Sequence, residues 1–407
     1  MNYLFFVFAA YILGCKFVFN EDADVSGHFA ASNAAYITAI LTILFICSLL
    51  LKVKIIKPPR NNLLLVPLFY YGYGLLTSVF SFLPLVSLYR SATGIGFFLV
   101  SCSLGCFLNR FPPDKAVEHI YKLVWCIALC GILGAIIFDH LYTPGFSLLN
   151  LRAGYIGLIT LYLCLWHLTS YYFRSGSKHL ILAAFILIVT IYLHSFSAFI
   201  AFIGAIMVVT FLLKKYFISL IFMLCTTFMG VQGFSYLNEN IDSVIMGKRA
   251  GAYLIGSGRF DAYLTGIAVY QKLDIVRQLI GVGFMAEREV LVGHGLTWVT
   301  DIHNSPLSSL MGLGVFGLIF YLLFTIAPFL YFNRFKKYLS LELTVKWMAM
   351  HSMFLLYGVT SSSYLATPSL QLILFSTFTI FMYRNYKLAV ITTPSSIRSP
   401  CKSFTSF

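Results

Sequence analysis

Asp301-Ile302-His303-Asn304-Ser305-Pro306 closes a polar stretch that begins near Gly233, and an apolar run starts at once and continues to about residue 332. The polar stretch is about 70 residues long and stands inside a chain that is otherwise almost wholly apolar. This switch decides the fold. A run of about 17–25 apolar residues is long enough to cross a bilayer as a helix, and a helix satisfies its own backbone hydrogen bonds in hydrocarbon. Outward from Ser305, further runs lie at roughly 344–363 and 367–384 on one side and at 2–19, 34–51, 62–83, 91–109, 118–138, 153–173, 178–193, 196–213 and 216–233 on the other. The expected fold is all-α, a polytopic membrane helix bundle of about twelve transmembrane helices with one large loop. Residues 1–233 carry the first nine spans, 234–304 the large loop with short helices, 305–386 the last three spans, and 387–407 a Ser/Thr/Pro-rich tail expected to be disordered. The run 2–19 lacks a basic leading segment and a small-residue cleavage site, so it reads as a retained first helix.

Composition excludes a soluble domain. Of 407 residues 59% are hydrophobic and only 10% charged, with mean hydropathy +0.87, against about 25% charged in soluble proteins. The 28 Lys+Arg against 14 Asp+Glu give a net charge of +14. Alternate loops hold that excess: Lys52/Lys54/Lys57/Arg60, Arg110/Lys115, Arg174/Lys178, Lys214/Lys215, Arg334/Lys336/Lys337 and Arg384/Lys387/Arg398/Lys402. By the positive-inside rule these loops and both termini are cytoplasmic, and loop 234–304 lies outside. The basicity is thus a topology signal, and no nucleic-acid partner is expected. The nine cysteines fall almost entirely in apolar runs with no C-x-x-C pair, as small packing residues do.

Inside the large loop, residues 247–258 are broken by glycines, about 259–278 form an amphipathic helix, and 281–295 read as irregular chain. Asn304 and Ser305 are good helix caps and Pro306 suits a first helical turn, so a helix starts beside His303. The dipole of that helix favours an anion and a neutral imidazole, and a neutral imidazole can take a proton as a general base. His294 is the rival within the loop. Arg249, Arg259 and Arg288 lie in the loop, and Arg90 and Arg152 at the same ends of neighbouring spans. Arginine forks match phosphate oxygens, so these five, with Asn304, are the candidate contacts for an anionic substrate. Gly312-x-Gly314-x-x-Gly317 spells a dinucleotide fingerprint, but it sits inside an apolar span with no preceding strand, and close packing is the better reading. Glu21, Asp22 and Asp24 in the first outer loop offer an alternative in which paired carboxylates hold a divalent cation.

Three stretches together resemble the O-antigen polymerase/O-antigen ligase superfamily of bacterial membrane glycosyltransferases: Ser257-Gly-Arg259-Phe-Asp-Ala-Tyr263, Ile280-Gly-Val-Gly-Phe284, and His303-Asn-Ser-Pro running on to Gly312-Leu-Gly-Val-Phe-Gly-Leu318. The resemblance covers about 110 residues, mostly of the last large outer loop. It departs at Ser195-Phe196-Ser197-Ala198, where members often carry Arg in place of Phe196.

The resemblance implies a GT-C fold in the bacterial inner membrane and an oligosaccharide repeat on undecaprenyl pyrophosphate as donor. It implies His303 as base toward an acceptor sugar hydroxyl, Arg259 and the other cations on the leaving pyrophosphate, and no metal or other cofactor. Membrane lipid is an expected partner, with a flippase and a chain-length regulator as further ones. Polymerase is the favoured activity. The alternatives are ligation to lipid A core and, from another class, a polysaccharide flippase.

Overall fold

The computed structural model describes residues 62–108, 110–142, 153–192, 196–217, 220, 224, 259–293, 302, 304–335, 340–360 and 370–392, and all regular structure in them is helical. In chain order the helices are α1 (Asn62–Thr77), α2 (Pro84–Leu108), α3 (Pro113–Tyr142), α4 (Ala153–Arg174), α5 (Ser177–Tyr192), α6 (Phe196–Leu212), α7 (Arg259–Lys272), α8 (Ile275–Ile280), α9 (Glu287–Gly293), α10 (Ser305–Phe335), α11 (Leu341–Thr360) and α12 (Leu370–Thr392). A short 3-10 turn, Ser78–Phe80, follows α1. The expected spans 2–19 and 34–51, most of 216–233, and the acids Glu21, Asp22 and Asp24 lie outside the described residues.

Three stretches are long and apolar enough to cross a membrane: Leu63–Phe80, Pro84–Leu108 and Ser305–Leu330. The chain is therefore a membrane protein by length and composition of its helices. α5 and α6 contribute the shorter apolar stretches Ser177–Thr190 and Ala198–Leu212.

Several boundaries differ from the hydropathy reading, for local reasons. α1 stops at Thr77, not 83, because the Thr77 hydroxyl donates to the Tyr73 carbonyl at 3.0 Å and the Ser78 hydroxyl to Leu75 at 2.6 Å, bonds that compete with the helix ladder. α2 then starts at Pro84 rather than 91, since proline lacks the N–H that a first turn leaves unused. The expected helix 259–278 is two helices. Asp274 accepts from the Arg277 N–H at 3.0 Å and so caps α8. The Gln278 amide donates to the carbonyls of Leu273 at 3.0 Å and Gln271 at 3.2 Å, closing the end of α7. The stretch 281–295 is not wholly irregular, because it contains α9. α12 runs on to Thr392, past the point where the sequence ends the last span.

The bundle is held by small residues on one helix meeting large ones on another. α6 packs on α11 and α4 through Ala198, Ala201 and Ala205, all fully buried. A side chain at Gly204 would run into Leu356, so the backbones approach closely there. α2 meets α12 where Gly105 faces Thr377 and Ile380. Tyr162, Trp347, Phe354 and Phe375 fill the centre. At the Arg174 end of α4, Glu342 accepts from Lys346 at 2.5 Å and from Arg174 at 3.1 Å, and Lys346 lies 4.5 Å from the centre of the Trp166 ring. Beside them the Nδ1 atoms of His167 and His179 are 3.1 Å apart, and the Tyr121 hydroxyl meets His167 Nε2 at 3.0 Å.

Candidate functional site

The site is built on a break in α10. Gly314 has φ 67 and ψ −163, so the helix that begins at Ser305 is interrupted there. In an unbroken helix the carbonyls of Met311 and Gly312 would accept from Val315 and Phe316. At the break they accept instead from Val282 and Gly283, each at 2.9 Å. The donors come from Gly281-Val-Gly283-Phe284, a segment whose backbone must reach α10 directly. A side chain on Gly281 would strike the Gly312 carbonyl, and one on Gly314 would strike the Leu279 carbonyl. Both have positive φ, 84 and 67, so glycine is required twice over at this crossing. The Gly312/Gly314 motif is thus a place of close approach, as its position in an apolar span suggests. Gly314 meets the end of helix α8 at Leu279 and Ile280, and Gly312 meets the loop backbone at Gly283.

A third segment joins the crossing. Phe82 N–H donates to the Val282 carbonyl at 2.9 Å, which ties the turn between α1 and α2 to the same loop. Phe284 inserts edge-on between Tyr70 and Tyr71, with ring centres at 5.7 and 6.0 Å. Val282, Phe284 and Ala286 are all buried, which locks the loop in register. Above it a small apolar cluster of Val269, Leu291, Ile302, Leu307 and Met311 fastens α7 and α9 onto the first turns of α10.

Polar groups gather on this frame. Glu287, the first residue of α9, is only 2% exposed, and its carboxylate accepts from the Ser308 hydroxyl. It lies against Gly312, where a Cβ would come within 3.5 Å of Oε2. One residue on from Ser308, Ser309 shares a hydrogen bond of 2.8 Å with the Tyr70 hydroxyl. The sequence reading missed Glu287, Tyr70 and Ser309. A signal was available for the first: acids are scarce in this chain, 14 in 407 residues, and Glu287 stands four residues after the second glycine of the Gly-x-Gly turn.

The expected site residues divide sharply. Asn304 is at the site and acts as the helix cap: its Oδ1 accepts from Leu307 N–H at 2.9 Å, its carbonyl from Ser308 N–H at 2.8 Å, and its amide donates to the Val359 carbonyl at 2.9 Å. Both ends of its amide are therefore engaged within the protein. Pro306 has no N–H, and those of Leu307 and Ser308 are taken, so the expected anion-binding role for the end of α10 loses these donors. Arg90 is at the site too, its guanidinium donating to the Met285 sulfur at 3.5 Å. The backbones of Arg259 and Arg288 open α7 and α9, but their side chains lie outside the described residues, as do His303, His294, Arg249 and Arg152. His303 stands in sequence between the fully buried Ile302 and the capping Asn304. Phe196 begins α6.

Among the described residues no three His, Cys, Asp or Glu side chains gather as a metal site would need. No known protein family matches the chain, and no curated protein does.

Proposed function

We propose that this chain is a GT-C type glycosyltransferase of the bacterial inner membrane, acting as an O-antigen polymerase. The donor is an oligosaccharide repeat on undecaprenyl pyrophosphate and the acceptor is the terminal sugar of a second lipid-linked repeat. In this reading the chain crosses the membrane about twelve times, both termini are cytoplasmic and loop 234–304 is outside.

One observation carries the reading. The segments behind the resemblance, which are separated in sequence, share one end of the bundle: α7 opens with Arg259, Gly281-Val-Gly283 bonds to Met311 and Gly312, and Asn304 caps α10. In this reading the crossing is the frame that carries His303 and the arginines, at the membrane surface where the donor's headgroup lies. His303 takes the proton from the acceptor hydroxyl as that oxygen attacks the anomeric carbon. The C–O bond to pyrophosphate breaks with inversion, and undecaprenyl pyrophosphate leaves with its charge held by Arg259, Arg90 and the other cations of this face. Glu287 braces the loop against α10 through Ser308.

Removing an electrostatic stabiliser of this kind costs on the order of 10²–10³ in rate. His303→Ala and Arg259→Ala are expected to reach the membrane in normal amount and to abolish long polymer in vivo, and purified variants to stop elongating a synthetic lipid-linked repeat. Normal polymer ladders from both variants would refute the mechanism. A knockout that leaves bare lipid A core and stranded lipid-linked polymer would assign ligation instead. Transport without elongation by purified wild-type protein would assign a flippase.

A further inference from the structure

α10 has more residues than the hydrocarbon needs. Its 31 residues are two helical segments joined at Gly314, whereas hydrocarbon about 30 Å thick takes about 20 residues of helix. The sequence turns basic at its end, in Arg334, Lys336 and Lys337. Counting about 20 residues back from there reaches the Gly314 break. The surface of α10 changes at the same point. Before the break Ser305, Leu307, Ser308, Ser309, Met311 and Leu313 are all buried in protein. After it an open apolar stripe begins with Val315 and Phe316. The residue count and the change of surface thus fall at the same place, the break at Gly314.

α8 lies at that break, since Gly314 touches the backbone of Leu279 and Ile280. It turns an open apolar face outward, with Ile275 69% and Val276 57% exposed, and Leu279 beside them. The turn between α1 and α2, tied to the same loop through Phe82, presents Val79 at 76%, Phe80 at 64% and Leu85 at 80%. The rim of this surface is charged. The Arg277 guanidinium lies 3.8 Å from the centre of the Phe82 ring and 3.5 Å from the Asp274 carboxylate, and Gln271 and Lys272 are exposed at the end of α7.

We propose that α8 and the α1–α2 turn form a platform seated in the leaflet on the Ser305 side, with this apolar face among lipid acyl chains and the Arg277/Asp274 rim among headgroups. The large loop then includes a membrane-inserted edge. Two observations choose lipid as the occupant: the face continues the stripe of a helix long and apolar enough to span the bilayer, and its level is the one that the residue count assigns to the hydrocarbon boundary. Short apolar faces with charged rims bind in this way at the interface. The inference stands whether or not the chain transfers sugars.

The test uses the full-length chain reconstituted in phosphatidylethanolamine/phosphatidylglycerol vesicles containing a lipid with a photoactivatable diazirine on its acyl chain. Mass spectrometry should find label on Ile275, Val276 and Leu279 at a level comparable with Ile319 and Leu322 of α10, and at least fivefold less on exposed Gln271 and Lys272. Label on α10 with none on α8 would overturn the proposal. So would ready disulfide-linked dimers of a Val276→Cys variant, which would give the face to a second copy. An independent reading comes from Val276→Cys and Gln271→Cys. A membrane-impermeant maleimide should modify the second at least tenfold faster, and equal rates would place α8 in water.

Discussion

Single atoms decide the geometry around Gly314. Its φ of 67 is one that side-chain-bearing residues avoid, and a Cβ would meet the Leu279 carbonyl, a backbone atom that has no rotamer to retreat into. Gly314→Ala is therefore expected to cost about 1–3 kcal/mol, read as a lower Tm in detergent, whereas Gly72→Ala, with open space around it, should lie near wild type. A thermal shift equal in the two variants would mean that the crossing is not under constraint. Glu287 offers a second comparison. Its buried carboxyl group accepts from Ser308, and taking a hydrogen bond from a buried acceptor costs about 1–3 kcal/mol. Ser308→Ala should destabilise by that amount and more than Ser309→Ala, which removes a neutral hydroxyl pair with Tyr70 worth about 1 kcal/mol. The reverse order would show that Glu287 does not rely on Ser308.

Among the elements, the long helices were legible because apolar runs of the right length have few other uses. Ten spans were expected between 62 and 384, and all but 216–233 have a described helix within about two turns of their limits. What was not legible is how they end. Hydropathy does not register that Ser78 bonds back to Leu75, or that Asp274 is better used as a cap than as a helical residue. The glycine spacings were visible, but that Gly281-Val-Gly283 would meet a break in α10 is a contact between distant segments that no local pattern encodes. A polar link between elements gives a further prediction. Glu342 on α11 joins Arg174 on α4 and Lys346 of its own helix. Burial alone would raise its carboxyl, but the hydrogen bonds and charges of Lys346 and Arg174 outweigh that and hold it below the usual carboxylate range. A lowered folded pKa contributes stability that is fully present above the unfolded value and is lost as pH falls through the folded one. Tm of the wild type should thus drop across the acid range below the ordinary glutamate pKa, and Glu342→Gln should flatten that slope while lowering Tm at neutral pH. An unchanged slope in the variant would assign the acid sensitivity to other carboxylates.

For the whole molecule the open quantity is orientation, because every functional reading depends on which compartment the Ser305 end faces. The charge pattern makes a definite prediction. Basic residues sit at the far end of α10 in Arg334, Lys336 and Lys337, after α6 in Lys214 and Lys215, and between α4 and α5 in Arg174 and Lys178. Short basic loops resist translocation, and the crossing of α10 with Gly281–Gly283 lies at the other end of the same helix. Fusions to the C-terminal-truncated chain should therefore report opposite sides: green fluorescent protein after Lys215 should fluoresce, and alkaline phosphatase after Gly293 should be active. The reverse pattern would put Arg90, Glu287 and the α8 platform on the cytosolic leaflet. A pyrophosphate-linked glycan already delivered to the outside would then be out of reach, and the transferase reading would fail even with its fold intact.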